Sequence, residues 1–182
     1  TFLSLDLFHS IHFNFGIEAL MAAILTAILI VVSMIDRDTQ IIPDSIVIPL
    51  LWIGLSMSLF HPLTNTSKLF ISPSDAIIGA LVGYLSLWSV FWTYKLCTGK
   101  DGLGYGDFKL LAALGAWLGW QQILLIIMLS AIIGLLINFA LIIFLKKDRN
   151  TPIPFGPYLS FSGWIAMIWS EEIKNYYFGL IL

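Results

Sequence analysis

The feature that most constrains this chain is its rhythm of apolar runs divided by short polar links. The runs are Ile17 to Ile35, Ile46 to Phe60, Ala76 to Cys97, Phe108 to Trp120, Ile123 to Leu145, and a last one ending near Trp169. A helix needs roughly 20 apolar residues to cross a bilayer. Of 182 residues, 59% are hydrophobic and 11% charged, whereas a soluble domain carries about 25% charged residues. There is too little polar surface to cover a water-soluble body of this size. The expectation is an all-α, polytopic membrane bundle of about six spanning or near-spanning helices, forming one membrane-embedded domain over residues 1–182. Thr1 to Phe8 is apolar but too short to span. It reads as the tail of a further, truncated helix, so the chain is expected to be a fragment. Pro49 is expected in the first turn of the second helix, where proline is tolerated.

Charge sets the expected orientation. If the runs alternate in direction, seven of the nine Lys and Arg residues fall on one side: Arg37, Lys95, Lys100, Lys109, Lys146, Lys147 and Arg149. Lys68 and Lys174 fall on the other. Cytoplasmic loops collect Lys and Arg, so the first side is expected to be cytoplasmic. Asp36 and Asp107 belong to it. The net charge of -2, with no basic block, gives no basis for nucleic-acid binding. Cys97 is the only cysteine, which excludes a disulfide framework or a cysteine zinc site within these residues. His9, His12 and His61 have no carboxylate cluster beside them in the sequence, so no metal site is expected. No signal peptide is visible.

Each of the two aspartates has a bland reading. Asp107 precedes Phe-Lys-Leu-Leu and suits an N-cap. However, Gly102, Gly104 and Gly106 precede it at alternate positions. Glycine permits positive φ and close backbone approach, which suits a site that admits an extended peptide. Asp36 ends its run at the negative end of a helix dipole, so a cap does not explain it; solvation beside Arg37 does. Asp44, after Pro43, reads as an N-cap, and Asp101 as a solvated loop acid. Gly79–Gly83 and Gly115–Gly119 have the spacing that lets helices approach closely in lipid.

Ser33-Met-Ile-Asp36 through Pro43-Asp44, then Gly102-Leu-Gly-Tyr-Gly-Asp107-Phe-Lys-Leu-Leu-Ala-Ala-Leu, resembles the bacterial type IV prepilin peptidases. Pro152-Ile-Pro154-Phe-Gly156-Pro-Tyr158 is similar to a third signature of that family. The resemblance implies a membrane aspartyl peptidase of the bacterial inner membrane with its active site on the cytoplasmic side. It implies Asp36 and Asp107 as the catalytic pair. The substrates implied are type IV prepilins and type II secretion pseudopilins, whose short basic leader is removed. Gly102, Gly104, Gly106, Asp44, Pro154 and Gly156 are then expected at the substrate, with Asp38, Asp101 and Asp148 also facing the basic leader. Many members also have a cytoplasmic domain with Cys-x-x-Cys pairs and methylate the new pilin N-terminus with S-adenosylmethionine. Those cysteines are absent here, and peptide cleavage itself implies no cofactor.

Two adjacent carboxylates can share one proton and divide the work of base and acid. The helix-end argument makes Asp107 the base that activates water and Asp36 the initial acid. Other readings of the same residues are a different intramembrane aspartyl protease, a small transporter or channel holding a cation between the carboxylates, and a scaffold in which both aspartates are caps.

Overall fold

The computed structural model describes residues 17–60, 71–99, 102–145 and 154–181. The run Thr1 to Phe8, the three histidines, Asp101, Asp148, Pro152, and Lys68, Lys100, Lys146, Lys147 and Arg149 lie outside the described residues. Within them the chain is helical, with no strand. Six α-helices follow in order: α1 Ile17–Thr39, α2 Asp44–Ser58, α3 Pro73–Thr98, α4 Tyr105–Leu118, α5 Ile123–Leu145 and α6 Gly156–Ile181. A 3-10 turn, Trp120–Gln122, joins α4 to α5. The protein is an all-α membrane protein. Three segments among the described residues are long and apolar enough to cross a bilayer: Ala19–Thr39, Pro73–Thr98 and Trp120–Leu141.

Local chemistry sets the boundaries. Before α2 the chain is extended at Pro43, with φ -70° and ψ 128°. Because α2 begins at Asp44, Pro49 falls in its second turn rather than its first, and the bond lost is the one to the Ser45 carbonyl. Ahead of α3, the Ser72 hydroxyl accepts the Asp75 N–H at 3.1 Å, and Pro73 takes the first helical position, where its missing N–H costs nothing. Gly99 ends α3 in the left-handed region at φ 70°.

The central helix is α4. Asp107, Phe108 and Leu110 through Trp117 are all buried. At 14 residues it is about 21 Å long, too short to cross a bilayer, and its neighbours enclose it. The glycine pairs explain how α3 approaches so closely. A Cβ on Gly79 would run into the Gly115 carbonyl, and one on Gly83 would lie 2.6 Å from the Leu111 carbonyl oxygen. On the α2 side, the Trp117 indole N–H donates to the Leu50 carbonyl at 2.8 Å, and Gly54 makes room for the ring. At the end of α4 remote from Asp107, Asp75 accepts the Trp120 indole N–H at 3.0 Å and the Gln121 amide at 3.3 Å. Leu124, Leu135, Leu136 and Phe139 on α5 stay exposed, as lipid-facing side chains do.

Candidate active site

Asp36 and Asp107 line one cavity of 1160 Å³. They are only 4% and 5% exposed, so Asp36 is not the solvated acid that its bland reading allowed. Asp107 is not the N-cap of α4, as its position before Phe108 suggested. The helix begins two residues earlier, so Asp107 sits at its third position and reaches back: the Gly104 N–H donates to its carboxylate at 3.1 Å. Gly104, having no side chain, leaves only this half of a capping box.

The surroundings of Asp36 depart further from expectation. Although it lies near the C-terminus of α1, its carboxylate accepts the N–H of Gly156 at 2.9 Å. Gly156 is the first residue of α6, and a helix N-terminus carries partial positive charge. The dipole of α6 therefore offsets that of α1. Asp36 caps a helix 120 positions away in sequence. Each aspartate accepts one backbone N–H from a helix start, and the asymmetry expected from helix ends does not hold. Burial, followed by the charge of Asp36, pushes the Asp107 carboxyl up to about 7 against the opposing Gly104 N–H. Asp107 thus does not keep its charge as readily as its place at a helix N-terminus implied.

The three glycines also act differently from expectation. Among the described residues only Gly99 and Gly119 are glycines with positive φ, so the loop does not use left-handed backbone at Gly102, Gly104 or Gly106. All three line the cavity, and they serve close approach. A Cβ on Gly102 would lie 2.7 Å from the Tyr94 ring, and one on Gly106 would lie 2.6 Å from the Ile42 Cβ. Pro154 lines the cavity too. Gly156 instead serves the dyad: a Cβ there would stand 2.7 Å from the Asp36 carboxylate.

Asp44 is also not an N-cap. Pro43 holds that position, and the Asp44 carboxylate receives the Lys109 ammonium with both oxygens at 2.6 Å. This exposed ion pair ties the first turn of α2 to the second turn of α4, and both residues line the cavity. Asp38 is exposed and is not among the cavity-lining residues.

A model of the Type IV leader peptidase family matches residues 23–139. The chain belongs to that family. Among curated relatives, the prepilin leader peptidase/N-methyltransferase of Stutzerimonas stutzeri is 50% identical over 166 residues, covering 91% of this chain and 55% of the relative. The protein of the same name from Pseudomonas aeruginosa is 49% identical over 166 residues, with the same coverage. That from Legionella pneumophila is 43% identical over 175 residues, 96% of this chain and 58% of the relative. The chain spans about half the length of the curated relatives it matches. No solved structure matches it. The leader-peptidase match contains both aspartates and stops before Pro154.

Several residues around the cavity escaped the sequence reading. Lys109 as the partner of Asp44 is one, and the Ile42 side chain, packed between Gly106 and Gly156, is another. Gln40 lines the cavity at φ 56°, a conformation that side chains other than glycine rarely adopt. Asn138 and Tyr158 line it as well. Tyr158 closes the third signature quoted from the sequence, and Asn138 carried its own signal, as a carboxamide inside an apolar run where polar groups are costly.

Proposed function

We propose that this chain carries the peptidase part of a prepilin leader peptidase, with Asp36 and Asp107 as its catalytic pair. The observation that carries the reading is the convergence of two buried carboxylates on one cavity, each held by a backbone N–H from a helix start. A cavity of 1160 Å³ exceeds the roughly 300–1,000 Å³ of small-ligand sites and suits a peptide segment. The substrates are type IV prepilins and type II pseudopilins. Cleavage takes place at the cytoplasmic face of the bacterial inner membrane, the side to which the distribution of Lys and Arg assigns both aspartates.

Two buried carboxylates lining one cavity, the charge of one acting on the other, hold a single proton between them at working pH. The ionised member takes a proton from water as its oxygen attacks the scissile carbonyl. The protonated member gives its proton to the carbonyl oxygen. The C–N bond breaks as the amine takes the proton that the first carboxylate had accepted, and as the C=O re-forms one hydroxyl proton returns to the second carboxylate, so the pair again holds a single proton. Because both carboxylates have the same kind of partner, the pair works as a unit and neither role is fixed beforehand. The exposed Asp38 meets the basic leader, and Asp44 does so by exchanging Lys109 for a leader cation.

The longer relatives are named prepilin leader peptidase/N-methyltransferases, and S-adenosylmethionine is the methyl donor for that chemistry. The described residues do not fit that group. The large cavity is the one assigned above to the peptide, and a second hollow, beside α3, is lined by Ser89, Val90, Thr93, Tyr94 and Cys97, with no carboxylate to hold ribose hydroxyls. No methyl-transfer step is derived from them, and we place methylation in the whole protein.

The test replaces Asp36 or Asp107 with Asn in the full-length protein and follows prepilin cleavage in membranes. Both variants are expected to lose cleavage while remaining in the membrane, and Asp44→Asn to keep a substantial part. Cleavage by Asp107→Asn at the parent rate overturns the assignment.

A further inference from the structure

Beyond the dyad, the cavity has a polar corner built from α5 and α6. Gly134 on α5 accommodates the Tyr158 ring, whose Cδ2 would lie 3.1 Å from a Cβ placed there. One turn on, the Asn138 amide donates to the Gly134 carbonyl at 2.7 Å and to the Tyr158 hydroxyl at a long 3.4 Å. The bond to a carbonyl fixes which end of the carboxamide is nitrogen. After these bonds, two hydrogen-bonding functions remain: the Asn138 carbonyl oxygen as acceptor and the Tyr158 O–H as donor. Both residues line the same cavity as Asp36 and Asp107.

An acceptor beside a donor matches one peptide unit, with its N–H and C=O. The need for such a match is physical. A substrate cut between two aspartates must present its scissile region as extended chain, and extended chain has lost its internal hydrogen bonds. In a cavity walled by protein an unpaired backbone N–H or C=O is costly, so the enzyme must supply partners. A carboxamide inside α5 is costly to keep there, and a weak 3.4 Å bond is readily exchanged for a substrate group. We infer that Asn138 and Tyr158 form a clamp for one backbone unit of the peptide substrate near the scissile bond. This rests on the peptidase reading above and extends it from the reacting pair to the substrate's main chain.

Tyr158 lies in the same first turn of α6 as Gly156, which holds Asp36, so a merely structural role predicts damage to the dyad and a lower kcat. A clamp that binds the main chain in ground and transition states alike predicts a higher KM with kcat kept. The experiment measures prepilin cleavage by the full-length protein, its Tyr158→Phe and Asn138→Leu variants, and Asp107→Asn. Tyr158→Phe is expected to raise KM about 3- to 10-fold, as for one hydrogen bond, with kcat within about twofold. Prepilins carrying one backbone ester, scanned across the cleavage region, should include one that weakens binding to the parent and costs nothing further in Asn138→Leu. Where Asn138→Leu fails to insert, Tyr158→Phe, which removes a single oxygen, decides alone. An unchanged KM, or a fall in kcat at constant KM, overturns the clamp while the peptidase reading stands. A parent that cleaves no better than Asp107→Asn removes the peptidase reading and the clamp with it.

Discussion

Asp36 shows how one side chain can answer to two helices. Its own helix places it where a carboxylate is disfavoured, and α6 compensates through the Gly156 N–H at 2.9 Å. Any side chain at 156 presses on that carboxylate. Gly156→Ala is therefore expected to lower kcat at least about 10-fold, as misplaced catalytic groups do, with KM nearly unchanged in steady-state cleavage assays. Asp107 makes a pH prediction. Its carboxyl is pushed up to about 7 by burial and then by Asp36, so the proton shared by the pair leaves as pH rises past that value. Cleavage should fall on the alkaline side with a limb near pH 7, read from kcat against pH. A carboxyl raised on folding also weakens the fold as pH climbs from the ordinary carboxylate range to about 7. Asp107→Asn should then melt higher than the parent at pH 8 and lose that advantage near pH 4. The chemical types of these residues were legible in the sequence. Their hydrogen-bond partners were not, because Gly156 is 120 positions from Asp36.

At the scale of elements, α4 presents the dyad because everything around it fixes its place. Lipid gives no hydrophobic drive for helices to associate, so small residues and close packing carry the contact. Gly79 meets Gly115 and Gly83 meets Leu111 with no room for a Cβ. Gly115→Val is expected to separate α3 from α4, costing about 1–3 kcal/mol as overpacking does and lowering the melting temperature of the detergent-solubilised protein. Glycines at four-residue spacing were visible in the sequence as a packing pattern. That Gly79 and Gly83 lie against Gly115 and Leu111, on the helix that carries Asp107, depends on how α3 and α4 pair in space. The placement of Pro49 and Asp44 turned on helix starts two residues earlier than the apolar runs indicate, since polar first turns leave no mark in hydrophobicity.

For the whole molecule, the orientation has a direct readout in Cys97, exposed at the end of α3 on the side assigned to both aspartates. A membrane-impermeant maleimide should label Cys97 in inside-out vesicles and not in intact spheroplasts, with Cys97→Ser as the blank, and a cysteine introduced at Ser74 should behave oppositely. The reverse pattern would put the dyad on the wrong face. The sequence by itself determined the all-helical membrane class, the six runs that became α1 to α6, and the two aspartates as the chemically informative residues. These follow from composition and local pattern: apolar length dictates helices in lipid, and glycines with a carboxylate mark a site. Only the tertiary structure decided what each carboxylate touches, that Asp44 pairs with Lys109, and that Asn138 and Tyr158 share the cavity with the dyad. Those depend on which helix faces meet, and contacts between distant segments leave no periodicity along the chain.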